Sequence, residues 1–223
     1  FQKGGIAMNI KFRSLVLSMF CICTLTANDD ILISAEDAVK LLDDPNVVFV
    51  SGDNDTTYKL GHIRGSVEMY AHHLHHSDKM GEMHCQPLFM CPKEAEEFIG
   101  KHGIENDDMI IAYDNFRGPN ATGVYAFFKS WGHKNIKILD GGRDKIMQID
   151  PQQKVYDAIK DEYTSKMRAT EDNEEKKAIK EKYSILLKEA EKGLMVVKGK
   201  LGEIEPKEYH IDTAEIDYDY IAG

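Results

Sequence analysis

The fold is decided by residues 109–142, MIIAYDNFRGPNATGVYAFFKSWGHKNIKILDGG. The apolar runs Met109–Tyr113 and Ile136–Leu139 each predict a short buried strand. Between them, residues 121–131 carry apolar side chains at helical spacing and predict an amphipathic helix. The closing pair Gly141-Gly142 predicts a tight turn. A helix between two buried strands favours an α/β domain with a parallel sheet.

The residues before this stretch extend the same pattern. Ser34, followed by Asp37, predicts a capped helix start, and residues 47–50 predict another buried strand. Residues 58–65 read as a turn-rich link. Pro92 fits the first turn of a helix that runs to about Lys101. Strands therefore alternate with helices, which predicts a central, mainly parallel sheet covered on both faces.

The residues after this stretch change character. Residues 150–192 hold apolar side chains at helical spacing among many charges, with a turn near residues 171–173, and so predict a charged helical hairpin. One interpretation is a solvated spacer packed on its neighbour, and the other is a docking arm for a partner. Further on, Ile211-Asp212-Thr213-Ala214-Glu215 loosely repeats the Ile33-Ser34-Ala35-Glu36 stretch, a weak sign of an internal repeat.

Composition and the first residues bear on location and partners. The chain has 223 residues and a formal net charge of -10, so nucleic acid and anionic membranes would be repelled. From Met8, basic Lys11 and Arg13 precede a short apolar run, which predicts an export signal cleaved near Ala27. Because that run is too short to span a bilayer, we expect no stable membrane span. The mature protein would then be periplasmic or secreted.

Three segments together resemble the rhodanese family of sulfurtransferases. They are residues 58–66 (YKLGHIRGS), residues 109–114 (MIIAYD) and residues 131–142 (WGHKNIKILDGG). The resemblance implies a rhodanese-like α/β domain over residues 28–149, after upstream residues and a signal peptide at 1–27. The ending Tyr113-Asp114 is similar to the first, inactive repeat of tandem thiosulfate or mercaptopyruvate sulfurtransferases. It implies a hairpin or linker at 150–207 and the start of a truncated second repeat at 208–223.

Sulfur transfer requires a thiolate that takes up the outer sulfur of thiosulfate as a persulfide. The loop after Met109–Tyr113, DNFRGPNATG, contains no cysteine, so no catalytic residue is assigned in this chain. A small sulfur-containing anion could still dock at the loop, and Asp114 and Arg117 are its predicted contacts. An ordinary exposed arginine is the alternative for Arg117. No cofactor is required for this chemistry.

A histidine-rich insertion follows the first motif. His72, His76, His84 and Cys85 are ligand types that suit zinc or copper, and they form the leading candidate set for a metal site. The alternative is that these histidines are polar surface residues. Cys85 and Cys91 lie away from the strand-to-helix loop, and a disulfide or inert thiols are expected there.

Two functions follow from these observations. The first is the front half of an exported thiosulfate-type sulfurtransferase, whose catalytic thiol lies in a second rhodanese repeat of the full-length chain. The second is a degenerate rhodanese module that binds a partner and carries a metal through its histidine-rich insertion.

Overall fold

The computed structural model describes residues 31–75, 91–116, 118–200 and 202–213. Its centre is a five-stranded sheet in the order β1-β6-β5-β2-β4, in which all neighbouring strands are parallel. The strands are β1 (Leu32–Ile33), β2 (Val47–Ser51), β4 (Val67–Glu68), β5 (Met109–Tyr113) and β6 (Ile136–Leu139). The predicted mainly parallel sheet is therefore confirmed.

Helices cover both faces of this sheet. One face holds α3 (Ala71–His75), α4 (Pro92–Lys101) and α5 (Asn120–Ser130), and the other holds α1 (Ala35–Lys40) and α6 (Gly142–Ile149). Strand side chains alternate between the two layers, with Ile110 and Ala112 facing α5 and Ile111 and Tyr113 facing α6. Because β5 is buried on both faces, it consists of a continuous apolar run.

The charged hairpin is also confirmed. It consists of α7 (Pro151–Ala169) and α8 (Asn173–Glu191), whose aromatic rings Tyr163 and Tyr183 lie 5.6 Å apart. Asp172 caps α8 by accepting a hydrogen bond from the Glu175 amide at 2.7 Å. Within the described ranges, no helix is both long enough and apolar enough to cross a membrane.

The sequence prediction was wrong in one short element and missed another. Residues 58–60, expected to begin a turn-rich link, are the end of helix α2 (Asp55–Leu60). Helix α6 was not predicted and begins directly at the predicted Gly141-Gly142 turn. After α2 comes β3 (His62–Ile63). It pairs in antiparallel fashion with β7 (Val196–Val197), the strand that follows the hairpin in the chain. This pairing fixes the chain after the hairpin to the first motif.

Residues 202–213, here called the C-terminal strap, return across the α4 face of the domain. The Lys207 amide donates to the Gly100 carbonyl at 2.9 Å, and Asn106 forms two hydrogen bonds with the His210 backbone. Tyr209 and Ile211 are buried in the same core as α5. Residues 208–213 thus pack on the first domain. The rest of the segment expected to begin a second repeat, residues 214–223, lies outside the described residues, and that assignment stays a prediction.

A buried histidine joins the strap to the sheet. His133 is 3% exposed, its Nε2 lies 3.0 Å from the Asp108 carbonyl oxygen, and its Nδ1 lies 2.9 Å from the Tyr209 hydroxyl. Since a carbonyl only accepts, Nε2 donates to Asp108 and neutral Nδ1 accepts from Tyr209. Burial lowers the pKa of His133 below its ordinary 6.5. Protonation would make Nδ1 the donor in its hydrogen bond with Tyr209 and place a charge in the core.

We therefore expect His133 to make the fold sensitive to acid. Because the folded pKa is lowered, the unfolded chain binds the proton first, and stability from this group is lost as pH falls through 6.5. Glu68, whose pKa burial raises to about 7, acts in the opposite direction. The contribution of His133 is therefore obtained by comparing a variant with the wild type. As pH falls below 6.5, the free energy of unfolding, measured with urea, should decrease less steeply in His133→Gln than in the wild type. The exposed His210→Gln serves as control, and an unchanged slope in His133→Gln would contradict the prediction.

Candidate functional site

The loop between β5 and α5 lies at the carboxyl edge of the parallel sheet, where open α/β folds bind ligands. Asp114 is its first residue and is 4% exposed. Its Oδ1 accepts a hydrogen bond from the Phe116 amide at 2.6 Å, and its Oδ2 accepts one from the Ala121 amide at 3.1 Å. The loop and the first turn of α5 therefore direct backbone amides at the side chain of residue 114. In this chain the Asp114 carboxylate accepts hydrogen bonds from these amides.

A second carboxyl group lies beside the loop. Asp53 follows β2, is 3% exposed, and accepts a hydrogen bond from the Asn120 side-chain amide at 3.2 Å. Burial raises the pKa of Asp53, and the Asp114 charge adds to this increase, while Asn120, Arg143 and the Asn115 backbone oppose it. Asp53 was not predicted as a site residue. The feature that could have indicated Asp53 is its position just after β2, a strand that pairs with β5.

Phe116 is held in the left-handed backbone region with a φ of 63°, and its side chain is 67% exposed. That conformation costs a non-glycine residue about 1 kcal/mol or more, so the surrounding contacts must impose it. An apolar ring therefore stands in solvent at the mouth of the loop. Arg117, the next residue and a predicted anion contact, lies outside the described residues, and its role stays a prediction.

The three segments that carry the family resemblance meet at this edge. The Arg143 amide donates to the Asp114 carbonyl at 2.8 Å. The guanidinium of Arg143 donates to the Gly61 carbonyl at 2.7 Å and to Asp144 at 3.0 Å. One residue after the Gly-Gly turn thus links the first motif to the end of the central strand. Sequence reasoning did not select Arg143, because its partners come from segments distant in the chain.

Of the four predicted metal ligands, His72 lies within the described residues. His72 lies on α3, with its ring 5.2 Å from that of Tyr70, and borders a groove beside Pro119 and Asn120. His76, His84 and Cys85 lie outside the described residues. Over residues 31–75, 91–116, 118–200 and 202–213, no three candidate ligands are grouped to hold a metal ion. The zinc or copper site stays a prediction.

The bonding state of one cysteine is described. Cys91, directly before α4, is disulfide-bonded. The other three cysteines of the chain, Cys21, Cys23 and Cys85, lie outside the described residues. A disulfide at Cys91 agrees with the expectation that this residue is not a catalytic thiol.

Comparison with known proteins agrees with this geometry. The model of the rhodanese-like domain matches residues 34–148. A candidate thiosulfate sulfurtransferase of Mycobacterium leprae is 33% identical over 151 residues, which are 66% of this chain and 51% of that protein. One from Mycolicibacterium smegmatis is 34% identical over 123 residues, which are 53% of this chain and 41% of that protein. The chain thus spans about half the length of the curated relatives it matches.

Among solved structures, a sulfur transferase subunit of yeast mitochondrial complex I has a similar fold. The TM-score is 0.50 at 19% identity, and the match covers 82% of this chain and 52% of that one. At this identity the likeness concerns the fold alone. Since the family model covers more than half of the chain and includes all three motifs, the chain belongs to the rhodanese-like family of sulfurtransferases.

Proposed function

We propose that this chain is the non-catalytic half of an exported, thiosulfate-type sulfurtransferase. The observation that carries the proposal is the Asp114 carboxylate, which occupies the two amides that converge at the start of the loop. The length relation supports it, since the curated relatives are about twice as long as the matched part. The catalytic thiol would belong to a second rhodanese repeat of the full-length protein.

The chemistry explains why this loop is inactive. A thiolate attacks the outer sulfur of thiosulfate, the S–S bond breaks, and sulfite leaves with the bonding electron pair while the persulfide remains on the protein. Amides and a helix N-terminus favour such an anion. Residue 114 has these surroundings but carries a carboxylate, which is a poor carrier of sulfane sulfur. The loop is therefore built around an internal anion, and any sulfur-containing anion would bind at its rim near Arg117.

Export is the second part of the proposal. The basic residues and short apolar run after Met8 predict a signal cleaved near Ala27. The disulfide at Cys91 supports an oxidising compartment, because such bonds are rare where thiols are kept reduced. N-terminal sequencing of natively expressed protein tests this part. A mature N-terminus at or before Met8 would contradict it.

The catalytic part is tested by thiocyanate formation from thiosulfate and cyanide. We expect no activity above background from the wild-type chain. Asp114→Cys should gain activity and, with thiosulfate, the mass of one additional sulfur atom, because the amides that now bind the carboxylate would stabilise a thiolate. Asp114→Ser loses the same carboxylate without supplying a thiol and is the matched control. Each replacement removes two hydrogen bonds to a charged group, at a cost of about 1.5–3 kcal/mol each, so folding is checked by Trp131 fluorescence.

Two results would overturn the proposal. Wild-type activity that disappears in the Cys85→Ser, Cys91→Ser double variant would mean that the insertion supplies the nucleophile. Wild-type activity that persists in that variant would mean that this chain transfers sulfur without Cys85 or Cys91. The wild-type measurement decides the proposal even if Asp114→Cys does not fold.

A further inference from the structure

A cavity of about 440 Å³ lies between the α/β domain and the base of the helical hairpin. Its lining does not include the β5–α5 loop, although Gly61 and Arg143, which connect the first motif to that loop, form part of its wall. Apolar side chains from both units form much of its wall: Leu60, Met147, Leu194, Val196 and Val197. Its volume lies in the range typical of small-molecule sites, which are often found where two structural units meet.

The walls of the cavity are fixed in place. Asp150, which is 1% exposed, accepts hydrogen bonds from the Gln152 amide at 2.8 Å and the Met195 amide at 2.9 Å. Its carboxylate therefore holds together the start of α7 and the chain that leaves α8. On the domain side, the Arg64 amide donates to the Met195 carbonyl at 2.8 Å, and β7 pairs with β3. The space is thus preformed, which lowers the entropic cost of ligand binding.

The polar groups of the cavity favour an anion. The two acidic side chains already accept hydrogen bonds, Asp157 from Gln153 at 3.0 Å and Glu191 from the Tyr156 hydroxyl at 3.3 Å. These neutral donors stabilise the acids without using any of the positive charge in the wall.

Three basic side chains line the same space. Arg143 is engaged by Gly61 and Asp144. Neither the Lys160 nor the Lys198 ammonium forms a hydrogen bond or an ion pair with another described residue. With Arg143 paired to Asp144, the available positive charge of the wall is that of Lys160 and Lys198, in a chain whose formal net charge is -10. Local positive charge in a concave site raises the concentration of small anions around it.

We propose that this cavity binds a small organic anion with an apolar body, such as a medium-chain carboxylate. The apolar body would contact Leu194, Val196 and Met147, and the carboxylate would be held by Lys160 and Lys198. About 440 Å³ corresponds to roughly 15 water molecules at the volume of liquid water, which is enough for a ligand of on the order of ten non-hydrogen atoms. The inference does not depend on sulfur transfer and stands or falls separately from the proposed function.

The test is calorimetric titration of the whole chain with decanoate, below its micelle concentration. We expect saturable binding of one decanoate per chain. Lys160→Gln combined with Lys198→Gln should weaken it about tenfold, since two favourable charge interactions are lost. Lys177→Gln combined with Lys180→Gln removes the same charge from α8 at positions that do not line the cavity, and it should leave the affinity unchanged. Neutral decanol should bind more weakly than decanoate.

Leu60→Asp gives an independent check of the location. Leu60 is 70% exposed, so its replacement should not disturb folding, yet it adds a carboxylate to the wall and should weaken decanoate binding. Absence of saturable binding to the wild type would overturn the proposal. Equal affinity of the two lysine double variants, or of decanol and decanoate, would also overturn it.

Discussion

Replacing Gly142 with alanine is expected to lower the free energy of unfolding by about 3 kcal/mol and to disrupt the β5–α5 loop. Gly142 has a φ of 57°, a conformation that costs alanine about 1–2 kcal/mol. A Cβ atom there would lie 2.5 Å from the Asp114 carbonyl oxygen and 3.0 Å from the Phe116 amide nitrogen. Both are backbone atoms, so the loop itself must move. Forcing an extra carbon into packed structure costs a further 1–3 kcal/mol or so.

Gly65→Ala is the matched control for this prediction. Gly65 has a similar φ of 76°, and a Cβ atom added there would have no neighbour within 4 Å. Its replacement therefore measures the backbone cost alone. Urea unfolding followed by Trp131, the single tryptophan of the chain, gives both values. If the two variants lose the same stability, the close approach of Gly142 to the loop is not a constraint.

Gly142 also illustrates what the sequence could predict. The Gly141-Gly142 turn and the strands before and after α5 were predicted because each produces a local pattern of apolar spacing or turn residues. Helix α2 was missed because its sequence, DTTYKL, has large apolar side chains only at Tyr58 and Leu60, which are not at helical spacing. The pairing of β3 with β7 was not predicted, since two residues in each strand carry no pattern and the partners are more than 130 positions apart.

The candidate site shows the same division between local and non-local information. Asp114 was selected because it follows a strand at the edge where parallel strands end. Its hydrogen bonds to the Phe116 and Ala121 amides depend on the loop conformation, which no spacing in the sequence specifies. Asp53 became visible only when β2 was known to lie beside β5. The role of Arg143 could be recognised only from the structure, because its partners Gly61 and Asp114 lie in two segments distant in the chain.

The second prediction concerns the extent of the folding unit. Tyr209→Ala is expected to lower the free energy of unfolding by about 3–4 kcal/mol, as removal of a buried aromatic ring usually does. Tyr209 is 7% exposed, packs in the same core as Ile211 and the α5 side chains, and contacts the ring of His133 at 5.9 Å between centroids. Yet it lies about 60 residues beyond the part of the chain that the family model matches.

Tyr209→Phe separates the ring from its hydroxyl group. It keeps the packing and removes only the hydrogen bond to His133 Nδ1, at a cost of about 1 kcal/mol. Glu208→Ala changes an exposed neighbour on the same strap and should stay within about 0.5 kcal/mol of the wild type. The three variants are compared by urea unfolding with Trp131 fluorescence, because Trp131 belongs to the same core. An alanine variant no less stable than the phenylalanine variant would mean that the ring adds nothing to the core.

A large loss in Tyr209→Ala would have a consequence for how this family member is built. Residues 34–148 contain every strand of the parallel sheet except β1, but they leave one core face without Tyr209 and Ile211. The strap closes that face and is fixed by Lys207, whose ammonium lies 3.1 Å from the buried carboxylate of Asp108. The cooperative unit would then run from β1 through the hairpin to the strap. A fragment that ends at residue 148 would expose part of the α4–α5 core, and we expect it to unfold at a lower urea concentration than the whole chain.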